Sequence, residues 1–332
     1  MTTLASTETQ LVDRIEEVGA KIQKVRDTTA SIIFGQDRVI DLALITLLSG
    51  GHALLIGVPG LAKTSLVETL GAVLGLENKR IQFTPDLMPS DIVGSEVLEE
   101  ETGGRRSFRF VKGPIFTQLL MADEINRASP KTQSALLQAM QEHHVTVAGV
   151  RHDVPRPFHV LATQNPLEQE GTYPLPEAQL DRFLLQIDVS YPDAAAERRM
   201  LFATTGVEDR SFKTILSAEE LMVAQRLVRQ LPVGDKVVDA ILKLVRSARP
   251  GTGIDRELDD MIAWGPGPRA SQALMLAVRA KAMIEGRLAP SVDDVIELAE
   301  PVLKHRMALT FAARAEGIEM SDMVAKLVEP LG

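Results

Sequence analysis

Residues 57–64 read Gly-Val-Pro-Gly-Leu-Ala-Lys-Thr, and this stretch decides the fold. An apolar run at residues 53–56 precedes it, and a run of helical character begins at Ser65. A strand, a glycine loop, Lys-Thr and a helix in that order form a cradle for phosphate groups, because the N–H groups of the loop and the helix N-terminus face the anion. In such a loop Lys63 reaches the outer phosphates, and the hydroxyl of Thr64 holds Mg²⁺.

One position departs from the strict form of this motif, which has glycine before the lysine. This chain has Ala62 there. Glycine is needed where φ is positive or where a Cβ would collide with the phosphate. We expect Ala62 to enter the helix with negative φ. The requirement for glycine is then stricter at Gly57 and Gly60.

Length and composition bound the class of protein. The chain has 332 residues, 45% of them hydrophobic, enough for two domains with their own cores. The N-terminal residues do not resemble a signal peptide, no apolar run approaches a membrane span, and cysteine is absent, so we expect a protein of the cytoplasm. A net charge of −9 and only 4% aromatic residues argue against nucleic acid as a partner.

Short apolar runs alternate with helical patterns, which is typical of an α/β fold with a parallel sheet. The predicted strands are residues 53–56, Ile81–Phe83, Leu119–Ala122, Phe158–Thr163 and Phe183–Val189. After Tyr191 the chain reads as helix, with an N-capping box at residues 291–294. We therefore predict an α/β domain over residues 1–191 and an all-helical domain over residues 192–332.

Two hairpins are predicted as inserts in the α/β domain. The first spans about 95–112 with its turn at residues 102–104, and the second spans about 144–155 with an Ala148-Gly149 turn. The first hairpin carries a basic cluster of Arg105, Arg106, Arg109 and Lys112. This cluster is either a solvated face of the hairpin or, in a ring, a surface that faces the central pore and binds an acidic substrate or a DNA backbone.

The N-terminal residues follow a helical repeat with a narrow apolar seam, formed by Leu4, Leu11, Ile15, Val18, Ile22 and Val25. The seam packs either on the helix's own domain or on another subunit.

Polar side chains follow two of the predicted strands. Asp123 and Glu124 end the strand at residues 119–122, and Asn165 follows the strand at residues 158–163. Because ligands bind at the carboxyl ends of parallel strands, we expect Asp123 beside the Mg²⁺ on Thr64. Glu124 can orient or deprotonate an attacking water, and Asn165 can bond the γ-phosphate or that water.

Two arginines are candidates for contacts with the phosphates. Arg182 comes just before the last predicted strand, and Arg269 lies in the first turn of a predicted helix in the second domain. The planar guanidinium group suits a phosphate, and an arginine that stabilises transition-state charge contributes about 10³–10⁵ in rate. We expect Arg269 to reach across a domain crevice to the nucleotide.

Three histidines, His143, His144 and His152, lie close together in the sequence. Their spacing matches no standard zinc site, so we expect them to be surface residues.

Together these residues resemble the AAA+ ATPases and, among them, the MoxR family. The stretches that carry the resemblance cover most of the chain and are GVPGLAKT, FTPDLMPSDIVG, KGPIF, LLMADEINRASPKTQSALLQAMQE, ATQNP, LPEAQLDRF and GPGPRASQAL. The resemblance identifies residues 57–64 as a Walker A loop and Asp123-Glu124 as a Walker B pair. It identifies Asn165 as sensor 1, Arg182 as an arginine finger acting on a neighbouring subunit, and Arg269 as sensor 2.

The resemblance also implies ligands, partners and an activity. It implies ATP and Mg²⁺, the latter on Thr64 and Asp123, a hexameric ring, and client proteins that often contain von Willebrand A domains. The implied nucleotide-binding residues are Gly35, Gln36, Gly57, Pro59, Gly60, Leu61, Ala62, Lys63, Thr64, Ser65 and Asp123. The activity expected is ATP-driven remodelling of a partner protein; the alternatives are a nucleotide-gated scaffold with little turnover and a DNA or chelatase-type motor.

Overall fold

A five-stranded parallel sheet forms the centre of the N-terminal part of the molecule. The computed structural model describes residues 2–100, 106–168, 170–205, 213–251 and 256–332, and for residues 2–11, 204, 256 and 257 it describes the backbone alone. The sheet strands are β1 (Ala53–Ile56), β2 (Asn78–Gln82), β5 (Leu119–Asp123), β8 (His159–Gln164) and β9 (Leu185–Asp188). They lie in the order β2-β5-β8-β1-β9, and all neighbouring pairs are parallel.

The sheet confirms the α/β prediction, and β1 has the bounds that the sequence indicates. β2 begins earlier than expected, because Asn78 already pairs with Leu119 on β5. The residues of β1, β5 and β8 are almost all buried, as expected for a parallel sheet covered by helices on both faces.

Both inserted hairpins are present in the structure. The first pairs β3 (Gly94–Glu100) with β4 (Arg106–Lys112), and the second pairs β6 (His144–Val147) with β7 (Val150–Asp153). In the second turn Ala148 and Gly149 both have positive φ, as a tight two-residue hairpin turn requires. The turn predicted at residues 102–104, and Arg105 of the basic cluster, lie outside the described residues.

Two other members of that basic cluster have partners within the chain. Arg109 pairs with Glu99 across the first hairpin at 2.6 Å, and the Lys112 ammonium group lies 5.3 Å from the centre of the Phe116 ring. These contacts favour a locally satisfied face over a free basic surface.

The remaining elements are helices and one small strand pair. The helices are α1 (Thr2–Ala30), α2 (Asp37–Leu48), α3 (Lys63–Val73), α4 (Pro89–Val93), α5 (Pro130–Glu142), α6 (Glu177–Leu180), α7 (Ala194–Thr205), α8 (Ala218–Gln230), α9 (Asp235–Ser247), α10 (Arg256–Met261), α11 (Pro268–Ile284), α12 (Val292–Leu303), α13 (Phe311–Ala315) and α14 (Met320–Val328). The strand pair β10 (Ile262–Trp264) and β11 (Ala308–Leu309) is antiparallel and was not expected in the helical part. The predicted capping box is present at the start of α12, where Ser291 and Asp294 cap each other's backbone groups.

The helical C-terminal part packs directly on the α/β part. A single apolar cluster contains residues of α2, α3 and β9 together with residues of α8, α9, α11 and α12. The seam of α1 joins the same cluster through Ile15, Ile22 and Val25, so this part of the helix packs on its own chain. The side chains of Leu4 and Leu11 lie outside the described residues. The boundary at residues 191 and 192 stays a prediction.

Two buried histidines, both in the neutral form, connect the start of β8 to its surroundings by hydrogen bonds. His52 donates from Nε2 to the carbonyl of Met140 and accepts at Nδ1 from the N–H of Val160, at 3.2 and 2.9 Å. His159 bonds the carbonyl of Gly51 at 2.8 Å and lies 3.1 Å from the Gln225 amide of α8. Burial lowers the pKa of His52 to about 3 and that of His159 to about 4.

Stability should therefore fall when these two histidines are forced to take up protons. An unfolded histidine titrates near pH 6.5, so between about pH 6.5 and 4 the unfolded chain binds more protons than the folded chain. The stabilisation is complete above about pH 6.5 and declines as the pH falls towards 4. Urea unfolding measured from pH 8 to pH 5 should give a free energy of unfolding that decreases over this window.

The variant His159→Gln should make that decrease shallower, whereas His144→Gln, which replaces a more accessible histidine, should not. A pH profile that is the same in wild type and His159→Gln would contradict this assignment.

Candidate nucleotide-binding site

The carboxyl ends of β1, β5 and β8 meet the glycine loop around one cavity of about 440 Å³. The residues that line it are Pro59, Gly60, Ala62, Lys63, Thr64, Ser65, Arg80, Gln82, Asp123, Glu124 and Asn165. The structure thus brings together the predicted phosphate loop, the acidic pair and the asparagine. Parallel pairing is the reason, because β8 lies between β5 and β1 and all three strands end at the same edge.

The glycine loop has room for an anion. Gly60 has φ +86°, and a Cβ added there would meet no atom within 4 Å, so the backbone faces open space on the cavity side. Gly57 is restricted for another reason, since its Cβ would come within 2.6 Å of the carbonyl oxygen of Val189. Gly57 is therefore required for packing of the loop against the end of β9.

Ala62 corrects the prediction about the departure from the strict motif. Its φ is +55° and its ψ is 20°, which is left-handed rather than helical, and it is the N-cap of α3. The loop thus keeps the backbone conformation that favours glycine, and the alanine adopts it at an energetic cost.

Lys63 lies at the start of α3 and is half-buried. Its ammonium group donates to the carbonyl of Gly57 at 2.5 Å, which holds it over the loop. Burial lowers the pKa of Lys63, while the charges of Asp123 and Glu124 act in the opposite direction. A phosphate in the cavity would supply further negative charge to this cation.

Asp123 is held from both neighbouring strands. The Oδ1 atom accepts from the Thr163 hydroxyl of β8 at 2.5 Å, and Oδ2 accepts from Arg80 of β2 at 2.6 Å. The Thr163 oxygen in turn accepts from the backbone N–H of Glu124 at 2.9 Å. These contacts fix the acidic pair relative to the sheet.

Glu124 is positioned by an unusual backbone and two side-chain donors. Its φ of 55° and ψ of 50° are left-handed, a conformation that is costly for a residue other than glycine and that concentrates at functional sites. The amide of Gln82 donates to Oε2 at 2.7 Å, and Arg127 donates to the same oxygen at 3.0 Å. These two donors anchor Oε2 of the carboxylate.

Asn165 lies directly beyond β8 and is buried. Its Oδ1 atom accepts from the backbone N–H of Leu167 at 3.1 Å, which fixes the side chain in the loop. The residue lines the same cavity as Lys63 and Asp123, as the sequence predicts.

A second, more apolar cavity of about 270 Å³ adjoins the first across the glycine loop. The residues that line it are Ile32, Ile33, Phe34, Gln36, Pro59, Gly60, Leu61, Ala62, Ser65, Tyr191, Pro192, Glu197 and Met200. Gln36 donates to the carbonyl of Ser190 at 2.8 Å and closes one side. Gly35 has φ +68°, and a Cβ there would lie 2.6 Å from Cβ of Ala196, so only glycine fits. A flat apolar group linked to phosphates fits the two cavities together.

Arg182 and Arg269 do not line either of these cavities. Both line a separate pocket together with Asp181, and Arg269 lies 3.4 Å from the Asp181 carboxylate. In this structure the first turn of α11 packs beside the segment before β9, so Arg269 lies at Asp181 and not at the glycine loop. Its contact with a nucleotide stays a prediction.

A buried arginine anchors the segment that carries Arg182. Arg306, which is 3% exposed, donates from Nε to Asp181 Oδ1 at 2.8 Å and from Nη2 to the carbonyl of Phe183 at 2.6 Å. Asp181 thus bridges the buried Arg306 and the exposed Arg269. The helical part of the chain thereby fixes the position of both predicted arginines.

Four residues of the site were not predicted from the sequence: Arg80, Gln82, Arg127 and Thr163. A partial signal existed, because Gln82 lies on the predicted strand Ile81–Phe83. Arg80 lies just before that prediction, and it faces the same side as Gln82 because the observed strand begins at Asn78. Their relation to Asp123 and Glu124 depends on β2 being the neighbour of β5, which the sequence does not state.

The described residues offer no group of three or more His, Cys, Asp or Glu side chains that could hold a metal ion. His152 stacks on Phe110 with ring centres 4.0 Å apart, and His144 contacts Glu142. Over the described ranges, no helix combines the length and apolar character needed to cross a membrane.

Comparison with known proteins agrees with this geometry. The model of the ATPase family associated with various cellular activities (AAA) matches residues 52–185, and the AAA lid domain model matches residues 256–327. The chain is 43% identical over 299 residues to the chaperone MoxR1 of Mycobacterium tuberculosis, covering 90% of this chain and 78% of that protein. It is 32% identical over 310 residues to the protein MoxR of Paracoccus denitrificans, covering 86% of this chain and 89% of that protein.

A solved structure is similar over the whole length. The crystal structure of a protein from Cytophaga hutchinsonii superposes with a TM-score of 0.89 at 36% identity, covering 99% of this chain and 98% of that chain.

Replacing Ala62 with glycine should stabilise the protein. Glycine removes the cost of a left-handed alanine, and we expect Ala62→Gly to raise the free energy of unfolding by about 0.5–1 kcal/mol. Denaturant unfolding measures this change. The control Ala72→Gly, in the last turn of α3, should lower the free energy of unfolding by up to about 0.5–1 kcal/mol. Equal destabilisation by both variants would show that Ala62 is not strained.

Proposed function

The chain belongs to the MoxR family of AAA+ ATPases, and on that premise we propose that it binds ATP with Mg²⁺, hydrolyses it and uses the energy to remodel a partner protein. The observation that carries the proposal is the single cavity in which the glycine loop, Lys63, Thr64, Asp123, Glu124 and Asn165 meet.

The adenine and the phosphates take the two adjoining cavities. The adenine lies against the apolar residues around Phe34, and the triphosphate follows the loop to the N-terminus of α3. Lys63 releases the Gly57 carbonyl and pairs with the outer phosphates.

The residues present suit a magnesium ion. Thr64 offers a hydroxyl oxygen and Asp123 a carboxylate, the oxygen donors that Mg²⁺ prefers, and both line the phosphate cavity. When bound, the ion neutralises phosphate charge. Arg80 and Thr163 hold Asp123 ready to receive it.

Glu124 is the proposed base. Its carboxylate orients a water and accepts a proton as the water oxygen attacks the γ-phosphorus, and the bond from phosphorus to the β–γ bridging oxygen breaks to leave ADP and phosphate. Gln82 and Arg127 both bond Oε2, which leaves Oε1 for the water. Asn165 stabilises the γ-phosphate or that water.

A second copy of the chain completes the site. Arg182 and Arg269 lie together in a pocket of their own, apart from their chain's phosphates, which supports a role at the nucleotide of a neighbour. Arg306 positions them through Asp181. We propose a homo-oligomer, a hexameric ring, in which each nucleotide lies between two protomers.

We propose that the client of the ATPase is another protein. By family resemblance it is a protein partner in the cytoplasm, often one with a von Willebrand A domain. Nucleic acid is not proposed as a partner, because the net charge is −9 and Arg109 of the first hairpin is already paired.

Glu124→Gln should separate binding from hydrolysis. The variant keeps the shape of the side chain but cannot accept a proton, so phosphate release should fall about 10²–10⁴-fold while ATP affinity stays within a few-fold. Steady-state phosphate release and calorimetric titration with ATP measure the two quantities. Glu68→Gln, an exposed position on α3, is the matched control and should behave as wild type. Full turnover in Glu124→Gln would refute the role of Glu124 as the base.

Mixing two inactive variants should restore activity if the site is shared. Lys63→Ala removes a phosphate contact, and Arg182→Ala removes the arginine for the neighbour's site, which is expected to cost about 10³–10⁵ in rate. In a mixture, some interfaces join one protomer of each variant. There the Lys63→Ala protomer supplies Arg182 to the intact phosphate cavity of the Arg182→Ala protomer. Phosphate release should therefore be higher in the mixture than in either variant alone. Full activity in a monomer isolated by size exclusion would contradict the shared site.

A further inference from the structure

Another polar cavity, of about 370 Å³, lies away from the two cavities of the proposed nucleotide site. It opens at the amino end of β8, beside His159, whereas the proposed nucleotide site lies at the carboxyl ends of the strands. One wall comes from the α/β part, through His143 after α5 and the loop that carries Arg156. The other wall is α8 of the helical part.

Three arginines converge on this space, which we name the arginine cavity after Arg156, Arg226 and Arg229. Arg226 and Arg229 are one helical turn apart on α8, so they share a face, and that face points at the loop carrying Arg156. The floor is rigid, because buried His159 is tied to Gly51 and to the Gln225 amide of α8.

The charges in the arginine cavity are only weakly neutralised by the protein: Arg156 interacts through space with Asp153 of β7, and Arg229 donates to the carbonyl of Ser49 at 3.5 Å. Of the residues described, those that line the cavity include no Asp or Glu. Neither Arg156 nor Arg226 has an ion-pair partner within the ranges the structure covers. Like charges on one helix face repel and destabilise a helix. Such an accumulation stands out in a chain whose net charge is −9.

A fourth arginine adds to this charge. Arg279 of α11 is partly buried with its Nε atom unpaired; burial lowers its pKa, and the nearby charge of Arg229 lowers it further. The whole region therefore favours an anion.

We propose that the arginine cavity is a second anion-binding site, which takes a small molecule with two or more phosphoryl groups. The planar guanidinium group donates two parallel hydrogen bonds to phosphate oxygens. Three such groups offer more hydrogen-bond donors and more positive charge than a single phosphate requires. The volume lies within the range of small-molecule pockets and is too small for a folded partner. The occupant bridges Arg156 on the α/β part and Arg226 and Arg229 on α8.

This bridging makes the site a link between the two parts of the chain. Binding there stabilises the packing of α8 on the α/β part, because a ligand that contacts both walls binds only when they are together. The proposal does not depend on ATP hydrolysis, since no residue of the nucleotide site lines the arginine cavity.

The test uses the full chain with Lys63→Ala, which weakens phosphate binding at the glycine loop, and inorganic pyrophosphate in magnesium-free buffer. Calorimetry should detect saturable binding that weakens as salt is raised, and pyrophosphate should raise the Tm. Adding Arg226→Ala and Arg229→Ala should lower the affinity about tenfold or more, because charge-assisted hydrogen bonds are lost. Arg156→Ala alone, on the other wall, should also weaken binding.

The matched control carries Arg246→Ala and Arg314→Ala in the same Lys63→Ala background. These exposed arginines lie outside the arginine cavity, so the control loses the same charge and should bind pyrophosphate as its parent does. A parallel titration with ADP distinguishes two sources of the ligand. If ADP binding depends on Arg226 and Arg229, the ligand of the arginine cavity is a nucleotide. If ADP binding is independent of them, the ligand is an inorganic phosphate compound. No binding of pyrophosphate, or equal binding by all variants, would overturn the proposal.

Discussion

The parallel pairing of β8 with β5 on one side and β1 on the other is the constraint on which the site depends. It brings three strand ends to one edge, so that the loop after β1, the carboxylates after β5 and the asparagine after β8 surround one space. Two hydrogen bonds depend on the register of this pairing. The Thr163 hydroxyl donates to the Asp123 carboxylate and accepts from the backbone N–H of Glu124. A shift of one residue in β8 would turn Thr163 to the other face and release both acids.

The helical C-terminal part is a structural component of the site rather than a separate cover. Its buried Arg306 donates to Asp181 and to the carbonyls around β9, and Lys304 pairs with Asp188 at the end of that strand. A buried arginine is costly unless its donors are satisfied, and here backbone carbonyls and one carboxylate satisfy them. The arrangement ties the position of Arg182 to the packing of the two parts, and the arginine cavity spans the same two parts at the opposite edge of the sheet.

Two of the left-handed non-glycine residues lie at the two ends of the proposed catalytic apparatus. Ala62 and Glu124 both have left-handed backbones, one where the glycine loop enters α3 and the other where β5 ends. Each is held by its surroundings: Lys63 bonds back to Gly57, and Glu124 is bonded by Gln82, Arg127 and Thr163. Such conformations persist where several contacts determine them together, and they orient the side chains before a ligand arrives.

Local patterns of apolar, glycine and capping residues were enough to predict the fold class, the five strands to within a few residues and both hairpins. They also predicted the residues around the phosphate cavity other than Arg80 and Gln82. The sequence by itself did not determine the backbone of Ala62, since a left-handed φ depends on the loop's contacts and not on the identity of one residue. That Arg80 and Gln82 face the acidic pair follows from the folded arrangement, because strand order is a long-range property. The same holds for the contact of Arg269 with Asp181 and for the arginine cavity. Arg156 is distant in sequence from Arg226 and Arg229, and it becomes their neighbour only when α8 packs against the start of β8.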